Sequence, residues 1–173
     1  MSDTLITVIG IFVAAILMIV FPLMAVSNTN DDISQVAVQS LVSDFVNNIA
    51  VEGKITQDGY SKFLTKLYAT GNTYDVQFEH QIMTTNPNKT NIDQLGENSY
   101  YSVYNATIID GENGLENNEV YLLKKGDYII VTVKNTNVTI ATQIKNFAYK
   151  IVGKDTYQIL ADASARVVNT GKN

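Results

Sequence analysis

The sequence predicts an α+β protein in which a long N-terminal hydrophobic helix continues into a small, mostly antiparallel sheet domain with helices on one face. Three observations carry this reading. Residues Thr4 to Val26 contain no charge. Apolar residues then recur at helical spacing to about residue 50. Beyond that, stretches of apolar–polar alternation, the mark of half-buried strands, are interleaved with short helical patterns. The expected division is a hydrophobic and amphipathic helical stem over 1–50 and an α+β globular head over 51–173.

The apolar run TLITVIGIFVAAILMIVFPLMAV, as a helix, spans ~35 Å, enough for a hydrocarbon core of ~30 Å. A helix apolar on every side must be buried on every side, in lipid or in protein. The run differs from a cleaved signal peptide. It follows Asp3, has no Lys or Arg ahead of it, and exceeds the usual apolar length, so it is expected to be retained. Pro22 removes one backbone donor and crowds the carbonyl of Met18, so the expectation is either a kink or local melting near residues 18–22 or a membrane helix that tolerates the proline. Gly10, Ala14 and Ala15 would ease close packing between such helices.

Charge is distributed unevenly. The first 53 residues hold Asp3, Asp31, Asp32, Asp44 and Glu52 and no base; all 12 Lys and Arg follow, beginning at Lys54. An acidic stem thus precedes a neutral head, for a net charge of -5. No basic patch of the kind nucleic acid requires is formed. A neutral head offers translocation no cationic obstacle, so it is placed outside the cell.

Along the chain, SNTNDD (27–32) is cap-like, with Asn30 or Asp31 able to start a second helix. Ile33, Val36, Ala37, Leu41, Phe45 and Ile49 continue the helical spacing until Gly53, giving one long helix or two in line that meet near 27–31. Thr56 caps a short helix over Gln57–Ala69, closed by Gly71. Tyr74, Val76, Phe78, His80 and Ile82 alternate with polar residues in a strand, and His80 falls on its apolar face as a packed residue. Residues 84–99 read as a polar loop. Residues 100–109 fit either helix or strand, with helix the expected outcome, and 110–114 read as a turn. Val120–Leu123 and Tyr128–Lys134 read as a β-hairpin joined through KKGD. Thr136 or Asn137 caps a further helix to about Ile151. A last strand over about 156–168 points Tyr157, Ile159, Ala161, Ala163, Ala165 and Val167 one way. Its three alanines predict a helix packed close over it. Asp75, Gln77, Glu79, Gln158, Asp162 and Ser164 belong to the wet face.

Chemistry is sparse. With no Cys and one His, the chain has little material for nucleophilic catalysis or transition-metal binding. Asp110, Glu112, Asn113 and Glu116 could gather oxygens for Ca²⁺, but the spacing lacks the EF-hand pattern and reads as a solvated turn. Asn88, Asn105 and Asn137 stand in N-x-[ST] triplets. Lys154, Asp162 and Arg166 read as surface charges. No catalytic, cofactor-binding or metal-ligating residue is assigned, no cofactor is expected, and the chain is not expected to be an enzyme.

Three stretches carry a resemblance: FPLMAVSNTNDDISQVAVQSLVSDFVNNI (21–49), GKITQDGYSKFLTKLYATGNTYDVQFEH (53–80) and KKGDYIIVTVKNTNVTIATQIKNFAYKIVGKDTYQILADASARV (124–167). With Tyr60, Phe63, Leu64, Leu67, Gly71, Tyr74 and Glu79, they resemble uncharacterised single-anchor, pilin-like proteins of Firmicutes. Those proteins occur alongside type IV pilus-like and Tad-like secretion machinery. The resemblance implies a type IV pilin-like fold. Pro22 lies where many such pilins have a proline. Leu5 stands where prepilins carry a glutamate, no basic leader is visible, and Asp3 is the nearest carboxylate. Prepilin-type processing and the usual ion pair of that glutamate are therefore not expected to follow the pattern.

The expected function is a structural subunit of an extracellular type IV pilus-like filament, its N-terminal helices packed as the core. The alternative is a monomeric membrane-anchored accessory protein, such as a minor pilin or an assembly, secretion or adhesion factor. Expected partners are copies of itself through the N-terminal helix, the pilus or secretion assembly machinery, and the membrane before assembly, with no nucleic acid. The expected location is the cell membrane with the head extracellular, then a cell-surface filament.

Overall fold

The computed structural model describes residues 2–83, 100–137, 143, 146 and 159–172. It divides into two compact units, Met1–Ser34 with Val138–Ile159 and Gln35–Asn137 with Leu160–Asn173. The protein is α+β, with a long apolar N-terminal helix followed by an antiparallel sheet, the layout of a type IV pilin.

Helix α1 runs over Ser2–Glu52. It passes through Pro22 and through residues 27–31 without interruption, so the tolerated proline and the single long helix are the outcomes, with no melting near 18–22 and no second start at Asn30 or Asp31. Pro22 still leaves the Met18 carbonyl without its in-helix donor. Neighbouring turns hold the helical path on both sides of that gap. Gly53, at φ +70°, ends the helix in the left-handed conformation that a side chain resists.

In the second unit, β1 (Lys54–Thr56) leads directly into α2 (Gln57–Tyr68). The Thr56 hydroxyl accepts from the Gly59 N–H, as the sequence predicts for this cap. Phe63 and Leu67 of α2 are buried. Strand β2 (Tyr74–Met83) follows with the predicted alternation: Tyr74, Val76, Phe78 and His80 are buried, and Asp75 and Gln77 are exposed.

The structure departs from two expectations. Residues 100–109 are not a helix. Tyr100–Tyr104 form β3, paired antiparallel with Glu79–Met83, and only Asn105–Ile108 are helical (α3). The Tyr-Tyr-Ser-Val-Tyr run has strong β preference, and a waiting partner edge decides in its favour. After α4 (Leu115–Asn118), β4 (Val120–Leu122) does not form a hairpin with β5 (Tyr128–Asn135). It pairs with β1 instead, Ile55 opposite Tyr121, in a separate two-stranded ribbon. The KKGD turn explains this. Asp127 N–H bonds to Lys124 O at 3.1 Å, with Gly126 at φ +104° in the third position. Positive φ there is the type II pattern, which splays the flanking strands where a primed turn would keep them paired.

The four-stranded sheet has the order β3-β2-β5-β6, all neighbours antiparallel, with β6 at Leu160–Arg166. Its register aligns three rows of inward side chains: Val76–Val133–Ala161, Phe78–Val131–Ala163 and His80–Ile129–Ala165. The second half of α1 buries Val38, Val42, Val46, Ile49 and Ala50, which share one helical face. Phe45 of α1 stacks on Phe63 at 4.2 Å between centroids and meets Phe78 edge-on at 6.2 Å, joining α1, α2 and β2. The side chains of Gln35 and Gln39 bond to the backbone of β6, so α1 runs along the open edge of that strand. The opposite face is wet at Asp75, Gln77, Asp162 and Ser164.

The expected loop 84–99, Tyr157 and Gln158 lie outside the described residues. So does nearly all of the helix expected after Asn137, of which Gln143 and Asn146 are helical.

Candidate functional site

The first candidate is the surface of α1 over Asp3–Val26. This stretch of 24 residues has a mean hydropathy of 2.9, and none of its most apolar window is buried. Exposure runs right round the helix. Successive residues step by ~100°, so Ile16, Leu17, Met18 and Ile19 point in four directions. All four are exposed, from 44% at Leu17 to 80% at Met18. An amphipathic helix of a water-soluble protein would hide one side. Open space surrounds Gly10, where an added Cβ would meet nothing within 4 Å. A contiguous apolar surface on this scale marks contact with lipid or protein. It is consistent with a membrane anchor or a signal sequence.

The second candidate is a buried polar cluster. His80 and Asp127 are 3% and 2% exposed, each beyond the usual burial of its residue type. Strand alternation turns His80 inward, and the KKGD turn carries Asp127 beneath it. The Asp127 carboxylate accepts the Lys124 N–H at Oδ2 and the Met83 N–H at Oδ1, both at 3.0 Å. An ionised carboxylate only accepts, so the His80 Nε2–H donates to Asp127 Oδ2 at 2.9 Å. His80 Nδ1 is then bare and accepts the Tyr121 O–H at 2.9 Å. Burial pushes the imidazole below its ordinary value, against the opposing pull of Asp127. Burial, then the Asp127 charge, pushes the Tyr121 phenol up to about 12. An open cavity of about 450 Å³ adjoins the cluster, with Tyr101, Asn113, Asn118 and Lys124 also on its wall.

Sequence reasoning placed His80 as a packed residue and missed both of its partners. Asp127 and Tyr121 lie 47 and 41 positions away. The available signal was an Asp directly after the turn glycine, between two apolar strands.

The remaining predicted residues scatter. Asn105 spends its whole side-chain amide on β2: Oδ1 accepts the Phe78 N–H and Nδ2 donates to Val76 O at 2.8 Å. Asn137 accepts the Thr73 N–H and donates to Asn72 Oδ1, each at 3.1 Å. Asn88 lies outside the described residues. The 110–114 turn is tied internally by Asn117 and Asn118 amides donating to Gly111 O and Glu112 O. Asp110, Glu112, Asn113 and Glu116 are exposed, and no group of three or more metal-ligating side chains forms among the described residues. Asp162 and Arg166 are exposed on β6, and Lys154 lies outside the described residues.

No protein-family model matches the chain, no curated protein matches it, and no solved structure matches it. What it shares with pilins is the layout alone: a long apolar N-terminal helix, then an antiparallel sheet.

Proposed function

We propose that this chain is a structural subunit of an extracellular type IV pilus-like filament. In this reading the residues 4–26 helices of many copies pack together as the filament core. The observation that carries the proposal is the apolar exposure of α1 on every side over residues 3–19 of its uncharged run. A surface apolar on all sides is satisfied by lipid before assembly and by neighbouring copies afterwards. The small residues Gly10, Ala14 and Ala15 support close approach between helices. The role is mechanical and not enzymatic, the membrane and the assembly machinery are the other partners, and the sheet-bearing part lies outside the cell.

The test is negative-stain microscopy of sheared cell-surface material with mass spectrometry of any fibres. Fibres built from this chain are expected. Fibres that lack it, with the chain left in the membrane fraction as a monomer, would overturn the subunit reading. They would leave a membrane-anchored accessory protein, which the same apolar helix supports because its length matches a bilayer.

A further inference from the structure

Only Gly53 separates the end of α1 at Glu52 from the start of β1 at Lys54. The helix is poorly closed by its own residues. Its last turn carries Glu52 and no base, the wrong sign for the negative pole of a helix. Donors come instead from residues 167–172, which follow β6. Val168 N–H donates to Ala50 O at 2.9 Å, and Asn169 Nδ2 donates to Val51 O at 2.8 Å. These bonds satisfy carbonyls that a helix C-terminus otherwise leaves unpaired.

The same six residues are tied to two further places. At the KKGD turn, Val167 N–H donates to Asp127 O at 2.8 Å and Val167 O accepts the Gly126 N–H at 2.9 Å. Thr170 Oγ1 accepts the Lys125 N–H there at 3.2 Å. At the β1–β4 ribbon, Gly171 N–H donates to Leu123 O at 3.0 Å, and Leu123 N–H donates in turn to Gly53 O at 2.8 Å. Gly53 and Gly171 are packed backbone to backbone. A Cβ on Gly53 would run into the Asn169 carbonyl, and a Cβ on Gly171 would run into the Gly53 carbonyl. Gly53 is also held at φ +70°, which only glycine adopts freely.

We propose that Gly53 is a hinge and that residues 167–172 are the strap that locks it: the seated strap fixes the last turn of α1 against the ribbon, and its lifting frees both while the four-stranded sheet stays closed. The strap is held by backbone bonds and close fit, with little burial. Val167 is buried, but Val168, Asn169, Thr170 and Lys172 are exposed. A segment with few buried apolar contacts opens at low free-energy cost. The sheet is held differently, by Val76, Phe78, Val131 and Val133 in its apolar core. What the strap covers is suited to turning. Gly53 has no Cβ, and a single residue at an element boundary can absorb a large backbone change. Lifting the strap takes away the donors to Ala50 and Val51 and the wall against Gly53 together. The Tyr121–His80 bond remains, so the ribbon pivots and does not detach.

The test is hydrogen exchange of the full-length protein in detergent micelles. In Gly171→Ala the added methyl meets the Gly53 backbone, so the strap must shift. Exchange in residues 50–54, 123–126 and 167–171 is expected to rise at least about tenfold over the parent, with Val76–Phe78 and Val131–Val133 unchanged. Asn169→Ala removes one cap bond and adds no bulk, so it should raise the same segments by a smaller factor, and the test stands on it if Gly171→Ala does not fold. Trypsin gives a second readout. Arg166 is exposed, but Val167 after it is buried and bonded through both backbone groups, so cleavage between them requires a lifted strap. It should speed up in each variant in step with exchange. A rise spread equally over the whole sheet would overturn the proposal. So would faster exchange in 167–171 that leaves 50–54 and 123–126 as in the parent.

Discussion

Gln35 of α1 pairs with the backbone of Leu160 through both atoms of its side-chain amide. Nε2 donates to Leu160 O at 2.7 Å, and Oε1 accepts the Leu160 N–H at 3.2 Å. One turn later, Gln39 Nε2 donates to Asp162 O at 2.7 Å. Four helical residues rise about 6 Å and two strand residues about 6.6 Å, so the two ladders stay in step. Strand β6 is the last strand of its sheet, and its outward N–H and C=O groups are a template for unwanted pairing. Glutamines on α1 take the place of a missing neighbour strand.

Replacing both glutamines tests this cover. Gln35→Leu with Gln39→Leu keeps helix propensity and removes the side-chain bonds of both residues to β6. The loss should be about 1–3 kcal/mol for the pair, read by denaturant unfolding in micelles. Self-association through the uncovered edge should rise with it, measured by light scattering. A double variant as stable and as monodisperse as the parent would contradict the role.

Asn105 performs the same task on the other side of the sheet. Strand β3 pairs with β2 only as far as Glu79, and the Asn105 amide continues the ladder onto Phe78 and Val76. Asn105→Ala should cost about 1–3 kcal/mol, because it leaves part-buried backbone groups of a core strand without partners. Its amide nitrogen is already committed, so the folded protein should carry no glycan there. Peptide mass spectrometry of cell-derived protein checks that, and a modified Asn105 would refute the arrangement.

Stability should fall at both ends of the pH scale, from different residues. His80 has its folded value below the ordinary imidazole value of 6.5, so the unfolded chain takes up the proton first. Its contribution is complete above about pH 6.5 and declines as the solution becomes more acidic. Tyr121 has its phenol raised from 10.0 to about 12, so the unfolded chain releases that proton first and stability drops as pH climbs from 10 toward 12. The full alkaline window is worth about 3 kcal/mol as an order of magnitude. Thermal unfolding of Tyr121→Phe beside the parent isolates it: the variant should lose the Tyr121 share of the alkaline fall and keep that of Tyr60, whose phenol burial also raises.

A charge in the apolar half of α1 should defeat membrane retention. Ile16 lies mid-run, 47% exposed, with lipid or a neighbouring helix as its expected surroundings. Ile16→Arg adds about 2.5–3.5 kcal/mol to insertion at that depth. The measurement is the fraction of chain in the membrane pellet after carbonate extraction. It should fall sharply for Ile16→Arg and stay unchanged for Ile16→Leu.

Sequence alone determined whatever depends on a residue and its near neighbours. The uncharged run set the apolar helix. Thr56 and the spacing of Phe63 and Leu67 set α2, and the alternation of Tyr74 to His80 set β2 with its dry and wet faces. Such patterns repeat within a few residues, at the period of the element that displays them. Tertiary structure decided what depends on a partner. Tyr100–Tyr104 became a strand because β2 offered an edge, and Val120–Leu122 left β5 for β1 because the KKGD turn splays its strands. His80, Tyr121 and Asp127 meet with β4 paired to β1 and the KKGD turn carrying Asp127 back to β2. Pairing across 41 and 47 positions has no local period to announce it.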